Sequence, residues 1–255
     1  MKKLICLFLL VFFVVSGGCN KSLKDYIDPQ ANENKPLTTI ESDIPIARAL
    51  PDVFKQEIVS NLAAIRYIDF ETSSWEREYM PEFIMVHFMN GVVISKDDPY
   101  NKDIVRNIFM EPGVGINYVI DRDGNILCML PENRCAWHAG EGEFLDCQKY
   151  TNKMNFYSIG IELMAIGSKE DMAQYISAET YDSLDDSLKG FTDAQYESLN
   201  LLISELCERY EIPKTKDRII GHEEFSQHKS DPGELFDWNR LELTKKTSWK
   251  RWFFV

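Results

Sequence analysis

The sequence predicts one mixed α/β domain, and three observations carry that reading. Short apolar runs of strand character recur along the chain, helical patterns with start signals lie between them, and the alternation persists over about 190 residues. A segment of that length can enclose a full hydrophobic core. No internal repeat is present.

Taken in order, Ala47 to Ile65 carries Val53, Ile58, Leu62 and Ile65 on one broad face, which predicts a helical extension over residues 46–66 ahead of a main domain at 67–255. Glu82 to Val86 reads as a central strand closing at His87, with Phe88-Met89-Asn90-Gly91 as a loop-like exit. Gly115 to Ile120, the turn Asp121-Arg122-Asp123-Gly124 and the returning run Ile126 to Leu130 read as a hairpin. Ser158 to Leu163 is a buried strand with one carboxylate, Glu162, embedded in it. The acidic stretch from Glu170 to Lys189 reads as a surface loop or short helix. Thr192 is an N-cap signal for a helix whose core face is Tyr196, Leu199, Leu202, Ile203 and Leu206. Ile219-Ile220 is a last apolar pair, and His222 stands at its end.

The N-terminus predicts the compartment. Lys2 and Lys3 precede an apolar run from Leu4 to Val15, which is shorter than the roughly 20 residues a spanning helix needs. That layout is secretory, with residues 1–18 as the signal peptide. Ser16-Gly17-Gly18-Cys19 resembles a lipobox, although Ser16 stands where leucine is usual, and implies cleavage before a lipidated Cys19. Residues 19–45, broken by Pro29, Pro36 and Pro45, then read as a lipidated N-terminus and tether. Asn20 is not a retention signal of the aspartate type, so the expected location is the periplasm, anchored to the outer membrane by lipid alone.

Loss of the signal removes two lysines and no acid, taking the formal charge from −13 to −15. So acidic a chain is unsuited to nucleic acid, which is bound through Lys and Arg on phosphates. Cys128, Cys135, Cys147 and Cys207 contain no Cys-x-x-Cys pair, and buried thiols or one disulfide are expected rather than a four-cysteine zinc site.

Chemistry concentrates between Gly221 and Gly233. His222 and Asp231 are an imidazole and a carboxylate, a zinc-type donor set one ligand short of a catalytic centre. Spacing alone leaves the third place open between His87, which like His222 ends an apolar strand, and His138. Glu162 is costly to bury unless paired or functional, and beside zinc it could move a proton from water to a leaving amine. Lys229 lies two residues before Asp231, so an extended segment sends both to one side, where the ammonium could stabilise an oxyanion. The same alternation turns His228 away as an exposed neighbour.

In these residues the chain resembles the zinc-dependent N-acetylmuramoyl-L-alanine amidases related to peptidoglycan recognition proteins and phage amidase-type lysozymes. Within that family it is most similar to the anhydromuramyl-peptide amidase branch. The matching segments are Ile84-Met85-Val86-His87, Gly115 to Gly124, Ala136-Trp137-His138-Ala139-Gly140, Ser158 to Leu163, Phe191 to Tyr196, Gly221-His222 and Lys229-Ser230-Asp231-Pro232-Gly233. They keep the family's order and cover roughly residues 67 to 240.

The resemblance implies a central mixed β-sheet flanked by helices, like that of a peptidoglycan recognition protein. It implies zinc on His87, His222 and Asp231, Glu162 as acid/base and Lys229 as transition-state stabiliser. His138 and Trp137 would line the substrate cleft, with Asn117, which stands where many relatives have histidine. Ile116 occupies the position of a catalytic tyrosine in some relatives, which leaves proton transfer to Glu162. Phe88-Met89-Asn90 departs from the usual small polar residues, and the stretch between His222 and Lys229 is about one residue shorter than in that branch.

The implied reaction is hydrolysis of the amide between N-acetylmuramic acid, or its anhydro form, and L-alanine in peptidoglycan or muropeptides. Two alternatives are a non-catalytic peptidoglycan-binding receptor and an amidase for another N-acylated substrate. The complete set of ligands favours an enzyme.

Overall fold

The computed structural model describes residues 46–66 and 73–244. The signal-like segment, Cys19 and the proline-broken stretch to residue 45 lie outside the described residues.

Eight strands form in chain order: β1 Ala63–Arg66, β2 Ser74–Glu76, β3 Phe83–Met89, β4 Tyr118–Ile120, β5 Ile126–Cys128, β6 Arg134–Ala136, β7 Ser158–Met164 and β8 Ile219–Gly221. Six of them make one sheet in the order β1-β5-β4-β7-β3-β8, while β2 and β6 pair separately and antiparallel. In the large sheet only β4 and β5 run antiparallel, as the predicted hairpin. The sheet is therefore mixed, with the parallel strands β7, β3 and β8 at one end of the order.

Helices α1 Lys102–Phe109, α2 Met154–Tyr157, α3 Lys169–Met172, α4 Ala178–Asp182 and α5 Asp193–Tyr210 flank the sheets. α5 starts where its sequence says: Thr192 accepts from the Gln195 amide and the Gln195 side chain returns to Thr192, a capping box. Gln195 is fully buried, and its Nε2 also donates to Ile120 O at 3.2 Å and Met164 O at 3.0 Å, tying the helix start to the ends of β4 and β7. The predicted stripe of α5 packs on Ile84, Val86, Ile159, Ile161 and Ile219. Each such side chain stabilises by about 1.5–3 kcal/mol on burial.

Alternation along the strands sends the intervening residues to the other face. There Phe83, Met85 and Ile220 meet Met154 of α2 and Phe225, while Met89, Val119 and Met164 meet Val105 and Phe109 of α1. The small β2–β6 sheet is held to this assembly by Arg77, whose guanidinium donates to the carbonyls of Glu132, Arg134, Phe156 and Ser158.

Residues 46–66 depart from the predicted helix. Only a single 3-10 turn, Asp52–Phe54, forms there, and Ala63–Arg66 is strand β1, paired with β5. Long-range backbone bonds take the groups a helix would use: Leu50 N donates to Glu78 O, Met80 N to Arg48 O, and Glu132 N to Ile58 O. Val53 and Leu62 are exposed rather than buried. The boundary expected between 66 and 67 thus falls at the end of a strand of the main sheet, and the described residues 46–66 and 73–244 lie in one compact unit.

The acidic stretch contains α3, α4 and a 3-10 turn at Asp186–Leu188. Cys128, Cys135, Cys147 and Cys207 are free thiols, all but Cys147 buried. Among the described residues no helix is long and apolar enough to cross a membrane.

Candidate active site

Strand register builds most of the site. His87 on β3 lies directly beside Glu162 on β7, and Val86 lies beside Gly221 at the end of β8, so His222 follows next to His87. Neighbouring residues in register point to the same face. Three parallel strands therefore deliver His87, Glu162 and His222 to one place at their C-terminal ends. Asp231 arrives from a loop that closes on itself: Glu223 N donates to Asp231 O at 3.0 Å, and Lys229 N to Ser226 O at 3.1 Å. Gly233 ends this loop at φ 76°, and a Cβ there would lie 2.4 Å from Asp171 Oδ2 in α3. Only glycine lets the turn sit that close.

The three candidate ligands converge. His87 Nδ1 is 2.8 Å from Asp231 Oδ2 and 3.1 Å from His222 Nδ1, and His222 Nδ1 is 3.1 Å from Asp231 Oδ2. Both imidazoles are buried, and Asp231 is 16 % exposed. His222 Nε2 lies 2.9 Å from the Ala139 carbonyl. A carbonyl only accepts, so Nε2 is the donor, and in a neutral imidazole the bare Nδ1 lone pair faces a carboxylate oxygen. Two acceptors in contact repel unless a cation lies between them. These residues therefore fit zinc, whose ligands sit about 2.0–2.2 Å from the ion and so about 3.3 Å from each other. Burial first, with the neighbouring His222 imidazole adding to it, pushes His87 down to about 4 against the opposing pull of Asp231, so its imidazole is neutral near pH 7.

Glu162 sits beside this cluster with its Oε2 sealed from solvent and without a hydrogen-bond partner. Burial first, and the negative charge of Asp231 second, push its carboxyl well above the usual range, while Lys229 opposes the shift. The ammonium of Lys229 is thus within electrostatic reach of Glu162, and it acts on His87 as well. One residue that sequence reasoning missed comes from the acidic stretch. The phenol of Tyr175 is pushed up to about 12 by burial and by the charges of Asp231 and Glu162, which places it within reach of both.

The three residues assigned to substrate separate. His138 Nδ1 lies 3.0 Å from His87 Nε2 and its Nε2 lies 3.1 Å from Ser158 Oγ, so the ring stands behind His87 and not among the three donors. Trp137 is half-buried, its ring tilted against that of Trp75 at 5.6 Å, with an indole N–H that finds no partner among the described residues. Asn117 does not line a cleft. It is fully buried, its Oδ1 accepts from Gly160 N at 3.2 Å, and its amide faces the carbonyls of Leu130, Pro131 and Arg134. Both ends of that side chain are spent on backbone, so it braces β7 against the segment leading to β6. His228 is exposed as expected, although residues 227–228 form a turn and not the extended run on which alternation was argued.

The model of the N-acetylmuramoyl-L-alanine amidase family, Amidase_2, matches residues 77–234. The chain belongs to that family. It is similar to the 1,6-anhydro-N-acetylmuramyl-L-alanine amidase AmpD of Haemophilus influenzae, at 34% identity over 182 residues, which is 71% of this chain and 79% of that protein. AmpD of Escherichia coli is 31% identical over 131 residues, 51% of this chain and 57% of that protein. The N-acetylmuramoyl-L-alanine amidase AmiD of Escherichia coli is 29% identical over 48% of this chain and 38% of its own length. Among solved structures, a selenomethionine derivative of AmpD aligns at 25% identity with a TM-score of 0.49, covering 72% of this chain and 95% of that one.

Proposed function

We propose that this protein is a zinc-dependent N-acetylmuramoyl-L-alanine amidase acting on peptidoglycan or on muropeptides, the anhydro forms included. The observation that carries the reading is one juxtaposition: bare His222 Nδ1, His87 Nδ1 and Asp231 Oδ2 within 3.1 Å of one another, beside a sealed Glu162 oxygen with no partner. Zinc held by those three residues supplies Lewis acidity to the scissile carbonyl and to water. The remaining chemistry belongs to the chain.

Glu162, a strong base because burial disfavours its charge, takes a proton from the attacking water and gives it to the departing amine of L-alanine. Lys229 offsets the negative charge that grows on the carbonyl oxygen. The names of the AmpD relatives support the anhydro-muramyl form as one substrate. The sequence of the N-terminus supports a periplasmic protein held to the outer membrane through lipid on Cys19.

The test is to incubate full-length protein with purified peptidoglycan and with anhydro-muropeptides, with mass detection of released peptides. Free peptide beginning with L-alanine is expected, lost on chelation and restored by zinc. Binding without cleavage by zinc-loaded protein would make it a receptor instead. For the anchor, Cys19→Ser should abolish acyl labelling and release the protein from membranes; labelling that survives would contradict lipidation at Cys19.

A further inference from the structure

His138 is the family-motif histidine that the three-donor cluster leaves out, and its surroundings assign it a different task. The direction of the hydrogen bonds behind His87 follows from their far end. The Met154 carbonyl can only accept, so the Ser158 hydroxyl donates to it at 2.7 Å. Ser158 Oγ then receives the proton of His138 Nε2 at 3.1 Å. A neutral imidazole has one ring proton, and here it is used on Ser158. His138 Nδ1 is left to accept from His87 Nε2 at 3.0 Å. His87 Nδ1 is consequently bare, facing Asp231 and His222.

The next residue does the same for the other imidazole, since the Ala139 carbonyl takes the proton of His222 Nε2 at 2.9 Å. Asn155 Oδ1 accepts from the amides of both His138, at 3.1 Å, and Ala139, at 2.8 Å, and so fixes the dipeptide. Gly160 makes room for the ring: a Cβ there would lie 2.7 Å from His138 Cγ.

We propose that His138 is a positioning residue, and that the ordered chain from Met154 O through Ser158 and His138 holds His87 with Nδ1 free for the metal. Both ring nitrogens of His138 are engaged in this chain, so it contributes orientation rather than a polar contact to substrate. The proposal rests on His87 being a zinc ligand, as argued above. Outer partners of this kind tune a metal site by about 10–100-fold in affinity.

Four histidines make the test direct. Full-length zinc-loaded protein labelled with nitrogen-15 histidine should show His87, His138 and His222 all protonated at Nε2 near neutral pH. A proton on Nδ1 of His138 or of His87 would overturn the proton order. Competition against a chelator then reads affinity: Ser158→Ala and His138→Phe should bind zinc about 10–100-fold more weakly than wild type. His138→Asn, which keeps an acceptor near the Nδ1 position, should recover part of that loss. Unchanged zinc affinity in a folded His138→Phe protein would overturn the proposal. If wild type itself holds no zinc, the zinc reading fails, while the nitrogen of His138 that carries the proton still decides its bond to Ser158.

Discussion

Glu132 and Glu162 are both carboxylates removed from water, and their surroundings differ at every point. Glu132 is fully buried and saturated. Tyr118 and Tyr210 donate their hydroxyls at 2.5 and 2.7 Å, and Arg209 Nη1 approaches both oxygens at 2.6 and 2.7 Å. Glu162 has an oxygen with no partner, a second carboxylate nearby and only the opposing charge of Lys229 to ease it. Glu132 is what a buried acid looks like when it serves architecture: its negative charge ties α5 to the segment beyond β5. In the proposed mechanism Glu162 is the acid whose site tolerates that cost for reactivity, since a buried polar atom left unpaired is rare in folded chains. Burial does not separate these two acids; the satisfaction of their buried atoms does.

The largest stability change belongs to the satisfied acid. Glu132→Gln removes the charge that Arg209 and two phenols converge on, and should cost about 3 kcal/mol in denaturant unfolding. Turnover per folded molecule should stay near wild type. Loss of turnover at unchanged stability would erase the contrast between the two acids. Asn117→Ala should come next, at about 1–3 kcal/mol, because it strands the Gly160 amide and empties the contacts to three carbonyls. Its KM should not move, and a rise in KM with stability intact would return Asn117 to the substrate.

The finest readout is the pH dependence of stability in zinc-free protein. Glu162 has a folded pKa above its ordinary 4.5, so the unfolded chain gives up that proton first. The stability tied to the protonated folded form is complete below about pH 4.5 and is lost as pH rises toward the folded value. Glu162→Gln has no such loss, so its melting temperature should pull ahead of wild type as pH rises above that point. Parallel curves would mean that Glu162 is not destabilised by its site.

What could be read from the sequence follows the range of the forces involved. The strands that carry His87 and Glu162 and the one that leads to His222 announce themselves as apolar runs, and the capping box at Thr192 is local chemistry, so those elements form as expected, although β3 runs on through Phe88 and Met89 instead of closing at His87, because both stay paired to β7. Residues 47–65 misled because their periodicity is local, whereas the bonds from Arg48 to Met80 and from Ile58 to Glu132 join segments far apart in the chain. Asn117 misled for a different reason: the resemblance placed it where relatives carry histidine, and its four backbone partners are seen only in the fold. Ser158, Asn155 and Tyr175 carried no signal, because a serine opening a strand or a tyrosine in an acidic stretch has no fixed meaning before the fold brings it to a histidine or a carboxylate.

The central claim is that Glu162 moves the proton in a site whose metal is held by other residues. Full-length Glu162→Gln should retain wild-type zinc content and melt no lower than wild type, while its turnover on anhydro-muropeptide falls by about 10²–10⁴-fold. Near-normal turnover in a zinc-loaded Glu162→Gln protein would contradict it.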